Sequence, residues 1–415
     1  MQKANISSIL KYSLIAFPLA FSGIPIYLHS PNFYATNIGI KIEIIGLCLL
    51  FLRLLDAFLD PFIGHYSDLN FARRDKIVYL GTLLLIIGFW MIFHPIQAYV
   101  VLWFCLSVFL CTFGFSLISI NIQAFGSLWD VAKENITKTI VTREGVSLLG
   151  LLFASVTPSI LFYKYGDENF HILSIILIFL FLVALFYFYR WRKQAIIKVP
   201  LQSVKKLSFK KIFSDHSVNY FFSAYFFSSF AAAIPAILII FYVRDYLRAE
   251  TFLGLFLLIY FLSGAVSMPI WRLLSNATSI TFAWFASMIL AILVFSWAYW
   301  LEPNNINGFA IICLFSGMSV GANLALPSAI IAEYISSKNH QEYASSYYSI
   351  SNFLSKFSLA IASGTILPLL GLMGYQPGFE RTDNLFPLLY ALAPCLIQLV
   401  AIFLLIPVMK SKREQ

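Results

Sequence analysis

The stretch Arg53-Leu-Leu-Asp56-Ala-Phe-Leu-Asp60-Pro61-Phe-Ile-Gly64-His65-Tyr66-Ser67-Asp68 decides the fold. It sits in an apolar run over about 38–65, long enough to cross a bilayer, which takes about 20 apolar residues. Arg53, Asp56, Asp60 and Gly64 are spaced i, i+3, i+7 and i+11, which puts them on one helical face. An ionisable group at mid-bilayer costs roughly 2.5–3.5 kcal/mol, so three facing lipid would cost on the order of 8–10 kcal/mol. The charged face must therefore point into a bundle of other helices. Two carboxylates one turn apart repel each other unless a cation or a proton lies between them. An oxygen-rich pair suits a hard cation, and a shared proton serves equally well. The alternative is an ion-pair network with Arg53 that only locks helices together.

Outward from this run, the rest of the chain supplies the bundle. Of 415 residues, 60% are hydrophobic and 11% charged, with mean hydropathy +0.83. Soluble domains are about half apolar and a quarter charged. The excess excludes a soluble enzyme, a nucleic-acid-binding domain and a disordered chain. Apolar runs recur near 9–29, 38–65, 77–95, 98–127, 141–163, 170–190, 218–243, 252–274, 279–301, 308–333, 343–370 and 384–409. In lipid, runs of this length are helices, because barrel strands are about ten residues and alternate. No cleavable signal sequence is expected after the first run.

The net charge of +9 is a topology signal. With both termini on the cytoplasmic side, twenty of the 28 basic residues fall on inner segments and five on outer loops. Arg53, Arg143 and Lys356 remain inside spans. This bias sets orientation beside an anionic leaflet and implies no nucleic acid. The longest break, 191–217, is basic and divides the chain into an N-terminal six-helix half (1–190) and a C-terminal one (218–415). Pro61 and Pro269, and Asn121 and Asn323, occupy similar places in the two halves, a faint echo of duplication. Two six-helix halves around a midplane site are the plan of a secondary transporter.

Other polar residues can complete a site. In span eleven Ser345, Ser349, Asn352 and Lys356 form one stripe, and a lysine this deep needs a carboxylate or a cavity. The alternative is a lysine that snorkels to water. Span five is expected to open with Arg143-Glu144, where Arg143 either holds a polar substrate or pairs with Glu144. Asn121 in span four is the polar residue best placed to join the aspartates. Gly64, Asp68, Arg73 and Arg74 bracket the loop between spans two and three. The five cysteines read as packing residues, and no nucleophile, phosphate loop or metal-ligand spacing appears. No catalytic residue, metal or cofactor is expected.

These motifs resemble the glycoside–pentoside–hexuronide:cation symporters, the melibiose-carrier branch of the major facilitators. The run from Arg53 to Asp68 is similar to that family's helix-two signature. Arg143-Glu144 with Gly150 resembles its helix-five start. Pro327 to Glu333, Lys356, and Gly371-Leu-Met-Gly374-Tyr375-Gln-Pro377-Gly378 resemble its helix-ten to helix-twelve region. The Gly64–Asp68–Arg73–Arg74 loop resembles the major facilitator loop motif, with one extra residue between Asp68 and Arg73, and the resemblance implies that the four form a conformational latch that breaks during alternating access and does not touch substrate. The resemblance implies an all-α membrane protein of twelve helices in two pseudo-symmetric halves. It implies Asp56 and Asp60 as cation ligands, Asn121 where the sugar carrier has a further acid, Arg143 touching substrate and Lys356 coupling the sites. Asn352 joins that set, as does Tyr27 of span one, with Ser22, Pro25 and Tyr34 nearby.

There are departures. The first acidic residue is Glu43, so the helix-one acid of the sugar carriers is missing. After Glu333 the loop reads Tyr-Ile-Ser-Ser-Lys-Asn-His-Gln-Glu instead of the family's pattern. The expected function is sodium- or proton-coupled symport of a sugar or related polar solute by alternating access. The rivals are a carrier of an amphiphilic or lipid-like substrate, or an exporter. The expected partners are a small-molecule substrate, a coupling cation and the lipid bilayer, with the chain a monomer in a bacterial inner membrane.

Overall fold

The structure is a computed structural model whose described residues are 5–165, 169–199, 209–372 and 387–411. Apart from one isolated bridge, its regular structure there is helical. In chain order the long helices are α1 (Ile6–Thr36), α2 (Ile42–Leu69), α3 (Phe71–Phe93), α4 (Gln97–Leu128), α5 (Lys133–Tyr165) and α6 (Asn169–Gln194). They continue as α7 (His216–Tyr246), α8 (Glu250–Ala277), α9 (Ile280–Ala298), α10 (Ile306–Ser337), α11 (Gln341–Leu372) and α12 (Leu388–Lys410). Among the described residues eleven helices are long and apolar enough to cross a membrane. The twelfth, α2, has the length but carries Glu43, Arg53, Asp56, Asp60 and Asp68.

The packing of α2 is inside out. Asp56, Asp60, Gly64 and Asp68 are buried, while Phe58, Phe62 and Tyr66 are exposed by more than half. That is the arrangement lipid demands of a charged helix, with the polar stripe inward and the aromatic face outward.

Two helix ends differ most from the expected bounds. α1 runs through Pro25 and Pro31 to Thr36, because a π-helical turn over Pro25–His29 absorbs the first proline and a new segment starts at Ser30. Tyr34 is thus inside a helix and buried. α5 starts at Lys133, eight residues before the apolar run at 141, so Arg143-Glu144 lies ten residues into the helix and not at its start. The polar sequence Lys133-Glu-Asn-Ile-Thr-Lys-Thr-Ile140 hides this extension, although Ile136 and Ile140 are buried. Side-chain caps mark other starts. Asn5, Asp215 and Ser279 accept from the amides of Ser8, Ser217 and Phe282 at 2.8, 2.8 and 3.1 Å.

Contacts divide the chain into two compact units, Met1–Ser208 with Ile331–Asn352, and Phe209–Ile330 with Phe353–Gln415. In the first, α3 packs closely along α4. A Cβ on Gly81 would come within 2.9 Å of the Gly114 carbonyl, so small residues set this approach. The start of the interhelical linker is pinned to the loop after α4. Asp130 donates its amide to Ile196 O and Lys198 donates to Leu128 O, both at 2.8 Å. In the second unit an aromatic core forms around Tyr242, which stacks on Tyr390 at 4.0 Å and donates its hydroxyl to Ala298 O at 2.9 Å. The middle of the linker (200–208) and the Gly374–Gly378 segment lie outside the described residues.

Candidate functional site

The first unit gathers the polar residues of α2 with partners from α1, α4 and α11. The Arg53 guanidinium lies 4.5 Å from the centre of the Tyr27 ring, on the π-helical turn of α1. This is cation–π distance. One turn on, Asp56 accepts a hydrogen bond from the Ser116 hydroxyl at 3.1 Å. Asp60, a further turn along, is completely buried. Two carboxylates on one buried face, with a hydroxyl oxygen beside one of them, form a donor set suited to a hard cation or a proton.

Asn121 does not join them through any of its hydrogen bonds. Its amide nitrogen donates to Ser67 Oγ at 3.1 Å and to Leu117 O at 2.8 Å. This places it against the end of α2, past Asp60, with its carbonyl oxygen buried and unbonded. The α4 residue bonded to an aspartate is Ser116. Ser119, three residues on, accepts from Asn352 Nδ2 at 3.4 Å. Thr112, Ser116 and Ser119 step by four and three, the same polar stripe that singled out Ser345 to Lys356 in α11. The sequence carried this signal, but hydroxyls are common enough in spans to pass unmarked.

Asp68 has the fullest set of partners. It accepts from the backbone amides of Ser345 and Ser346 at 2.8 Å each, from the Ser346 hydroxyl at 2.7 Å and from Arg74 at 3.0 Å. The two amides belong to the first turn after the 3-10 entry of α11. Asp68 therefore caps a helix distant in sequence, where unpaired amides and the helix dipole favour a negative charge. Arg74 and Asp68 are both fully buried at their side chains. Arg73, expected to share this role, is exposed. Gly64 permits the approach, since a Cβ there would lie 2.5 Å from Ser349 Cβ and 2.7 Å from Ser345 O.

Arg143 is 4% exposed and forms an ion pair with the neighbouring Glu144. Tyr12 and Tyr348 face its guanidinium. The pair with Glu144 is one of its two expected roles. Gly150 lets α5 approach α1, for a Cβ there would strike the Phe17 carbonyl. Lys356 belongs to the second unit and is half-buried.

The second unit holds a polar network of its own. Asn323 Oδ1 accepts from Ser228 at 3.1 Å and from Trp284 Nε1 at 2.9 Å, and Gln398 donates to Ser228 at 3.2 Å. Four helices, α7, α9, α10 and α12, meet in it. Beside it lies a cavity of about 50 Å³ lined by Asn323, Gln398, Ser287, Ser319, Tyr260 and Phe295 among others. That is room for a few waters. Sequence reading used Asn323 only as an echo of Asn121. It also left unpaired His94 and His171, whose ring nitrogens lie 2.9 Å apart, because 77 residues separate them.

No curated protein sequence matches the chain. Among solved structures, it is similar to a bacterial homologue of the iron transporter ferroportin in an outward-facing state. The TM-score is 0.77 at 15% identity, covering 97% of this chain and 98% of the other. The same homologue with soaked iron gives 0.75 at 16%, covering 98% and 100%. At this identity the likeness is one of fold. The sequence matches the family described as MFS/sugar transport protein over residues 11–408, and the chain belongs to that family, an integral membrane protein of the major facilitator fold.

Proposed function

We propose that this chain is a symporter of the melibiose-carrier-like branch, coupling entry of sodium or protons to uptake of a sugar or related small polar solute. The observation that carries the reading is the buried carboxylate face of α2, Asp56 and Asp60, with the Ser116 hydroxyl on Asp56. Two acids one turn apart inside a membrane bundle repel each other unless positive charge joins them, and a coupling cation or proton supplies it in this reading. In this reading the cation neutralises the pair and organises the neighbouring polar groups, Arg53 over Tyr27 and Asn352 on Ser119. Substrate then binds more tightly, and by linkage substrate strengthens cation binding equally. Lys356 couples the two sites. Asp68 on the α11 amides is the latch, made in one state and broken in the other. It lies on the cytoplasmic side, with both termini, in a bacterial inner membrane. No covalent step is involved, and the chain works as a monomer.

A second reading, carriage of an amphiphilic substrate, is favoured by the mainly apolar wall of the cavity in the second unit, where apolar residues, among them Ala231, Ala232, Pro235, Met288, Ala291 and Ile292, outnumber the polar ones. Uptake by proteoliposomes separates the two. Labelled hexosides, pentosides and hexuronides are offered under an inward sodium or proton gradient, with a lysolipid as competitor. Gradient-driven accumulation of one sugar class supports symport. No sugar uptake under either gradient, with gradient-dependent uptake of a labelled lysolipid instead, overturns it.

A further inference from the structure

A groove runs along the outside of the first unit where α2, α3 and α4 meet. Its floor is the buried cluster Ile63, Ile77 and Leu117, and its walls include Phe62, Leu80 and Phe113. Its volume is about 440 Å³, within the range of ligand sites. The walls are apolar along most of the length, but the end beside the α2–α3 loop carries Asn70, Arg73 and Lys76. Phe62 and Leu80 are at least half exposed, so the groove opens towards the surroundings of the bundle.

The groove's end is cationic. Arg74, next in sequence, is buried against Asp68, yet Arg73 and Lys76 are exposed and neither side chain makes an ion pair among the described residues. The nearest acid in sequence, Asp75, turns its carboxylate to the Lys76 backbone amide at 3.0 Å. The Asn70 amide is spent on Tyr66 O at 2.9 Å, which squares off the end of α2 beneath Arg73. An apolar trough closed by a guanidinium and an ammonium matches one ligand chemistry, a phosphate on a hydrocarbon chain. Arginine presents a fork to phosphate oxygens, lysine adds a point charge, and both are held where a bilayer places headgroups.

We infer that this groove is a binding site for one anionic glycerophospholipid, its phosphate at Arg73 and Lys76 and an acyl chain along Ile63, Ile77 and Leu117. The site uses no residue of the proposed cation site, and its failure would leave the symport reading untouched. Because Arg73 adjoins Arg74, lipid occupancy would fix the loop that carries the Asp68 partner.

Native mass spectrometry of the detergent-purified chain tests this, with phosphatidylglycerol against phosphatidylcholine of the same acyl chains. The expected result is one retained phosphatidylglycerol, preferred at least tenfold. That preference should fall to near one in Arg73→Gln/Lys76→Gln and also in Leu80→Trp, which fills the groove and keeps the charges. Leu80 is half exposed, so this second variant folds even if the first does not. Inorganic phosphate at millimolar concentration should not displace the lipid. No preference in the wild type, or a preference that survives the double variant, overturns the proposal. Loss in the charge variant with full retention in Leu80→Trp reduces it to surface attraction and overturns the groove.

Discussion

Asp68 and Ser346, 278 residues apart in sequence, are joined twice: the carboxylate takes the serine's backbone amide at 2.8 Å and its hydroxyl at 2.7 Å. With Ser345 and Arg74 added, the carboxylate has four donors and no access to water. An acid satisfied this fully is stable only while all of its partners stay in place. In the proposed latch these four donors would be released together when the contact breaks.

Asp68→Asn should therefore be severe. The amide cannot accept from all four donors, and Arg74 is left as an uncompensated buried charge. Removing one partner of a buried pair costs about 3–5 kcal/mol. The expected outcome is a lower unfolding temperature and at least a tenfold loss of transport. Arg74→Gln should restore part of the stability in the Asp68→Asn background, measured as a double-mutant cycle.

Gly64→Ala tests the approach that the latch needs. The added methyl would meet Ser349 Cβ and Ser345 O at 2.5 and 2.7 Å. Overpacking of this kind costs typically about 1–3 kcal/mol. Ser349→Gly removes both clashing serine atoms, Cβ and Oγ, and leaves Ser345 O, so Gly64→Ala/Ser349→Gly should recover part of the lost stability in thermal unfolding. Equal stability of single and double variants would place the strain elsewhere.

Ser116→Ala deletes the hydroxyl on Asp56 without touching either acid. A hydrogen bond to a charged group is worth about 1.5–3 kcal/mol. If the pair binds the coupling cation, affinity for it should fall roughly 10- to 100-fold by that figure. Asn121→Ala, whose amide serves Ser67, should change stability more than cation affinity. Both are read by titrating the stabilisation that the cation provides.

In the second unit, Asn323→Leu leaves Trp284 Nε1 and the Ser228 hydroxyl without their acceptor. Unsatisfied buried groups cost about 1–3 kcal/mol, and helix-to-helix polar bonds in membranes average somewhat less. The expected result is a modest fall in unfolding temperature with a shift in tryptophan emission. Asn323→Asp, which keeps the acceptor, should preserve the emission. Its unfolding temperature then measures the cost of charge there.

The helix bundle was legible because lipid enforces long apolar runs, and the acids of α2 stood out because so few charges interrupt them. The burial of Asp56 and Asp60 followed from their spacing alone. What sequence could not supply was partnership. Ser116 and Ser119 look like any span hydroxyls until Asp56 and Asn352 lie against them. Arg73 and Arg74 are equivalent in sequence, yet Arg73 ends the 3-10 turn of α3 and is exposed, while Arg74 opens its α-helical part and is buried against Asp68. The early start of α5 was hidden by polar residues on a helix that outruns its apolar window. The linker's first residues were fixed by backbone bonds to 128–130, which no side-chain pattern encodes.

The most direct test of cation binding at α2 is thermal unfolding of the purified chain at constant ionic strength. Sodium and lithium are compared with choline, and pH 5.5 with pH 8, for wild type and for Asp56→Asn/Asp60→Asn. A bound cation raises apparent stability by mass action. The expected result is a rise with sodium or with protons in the wild type that disappears in the double variant. A wild type indifferent to both, or a double variant that keeps the same rise, contradicts a coupling site at Asp56 and Asp60.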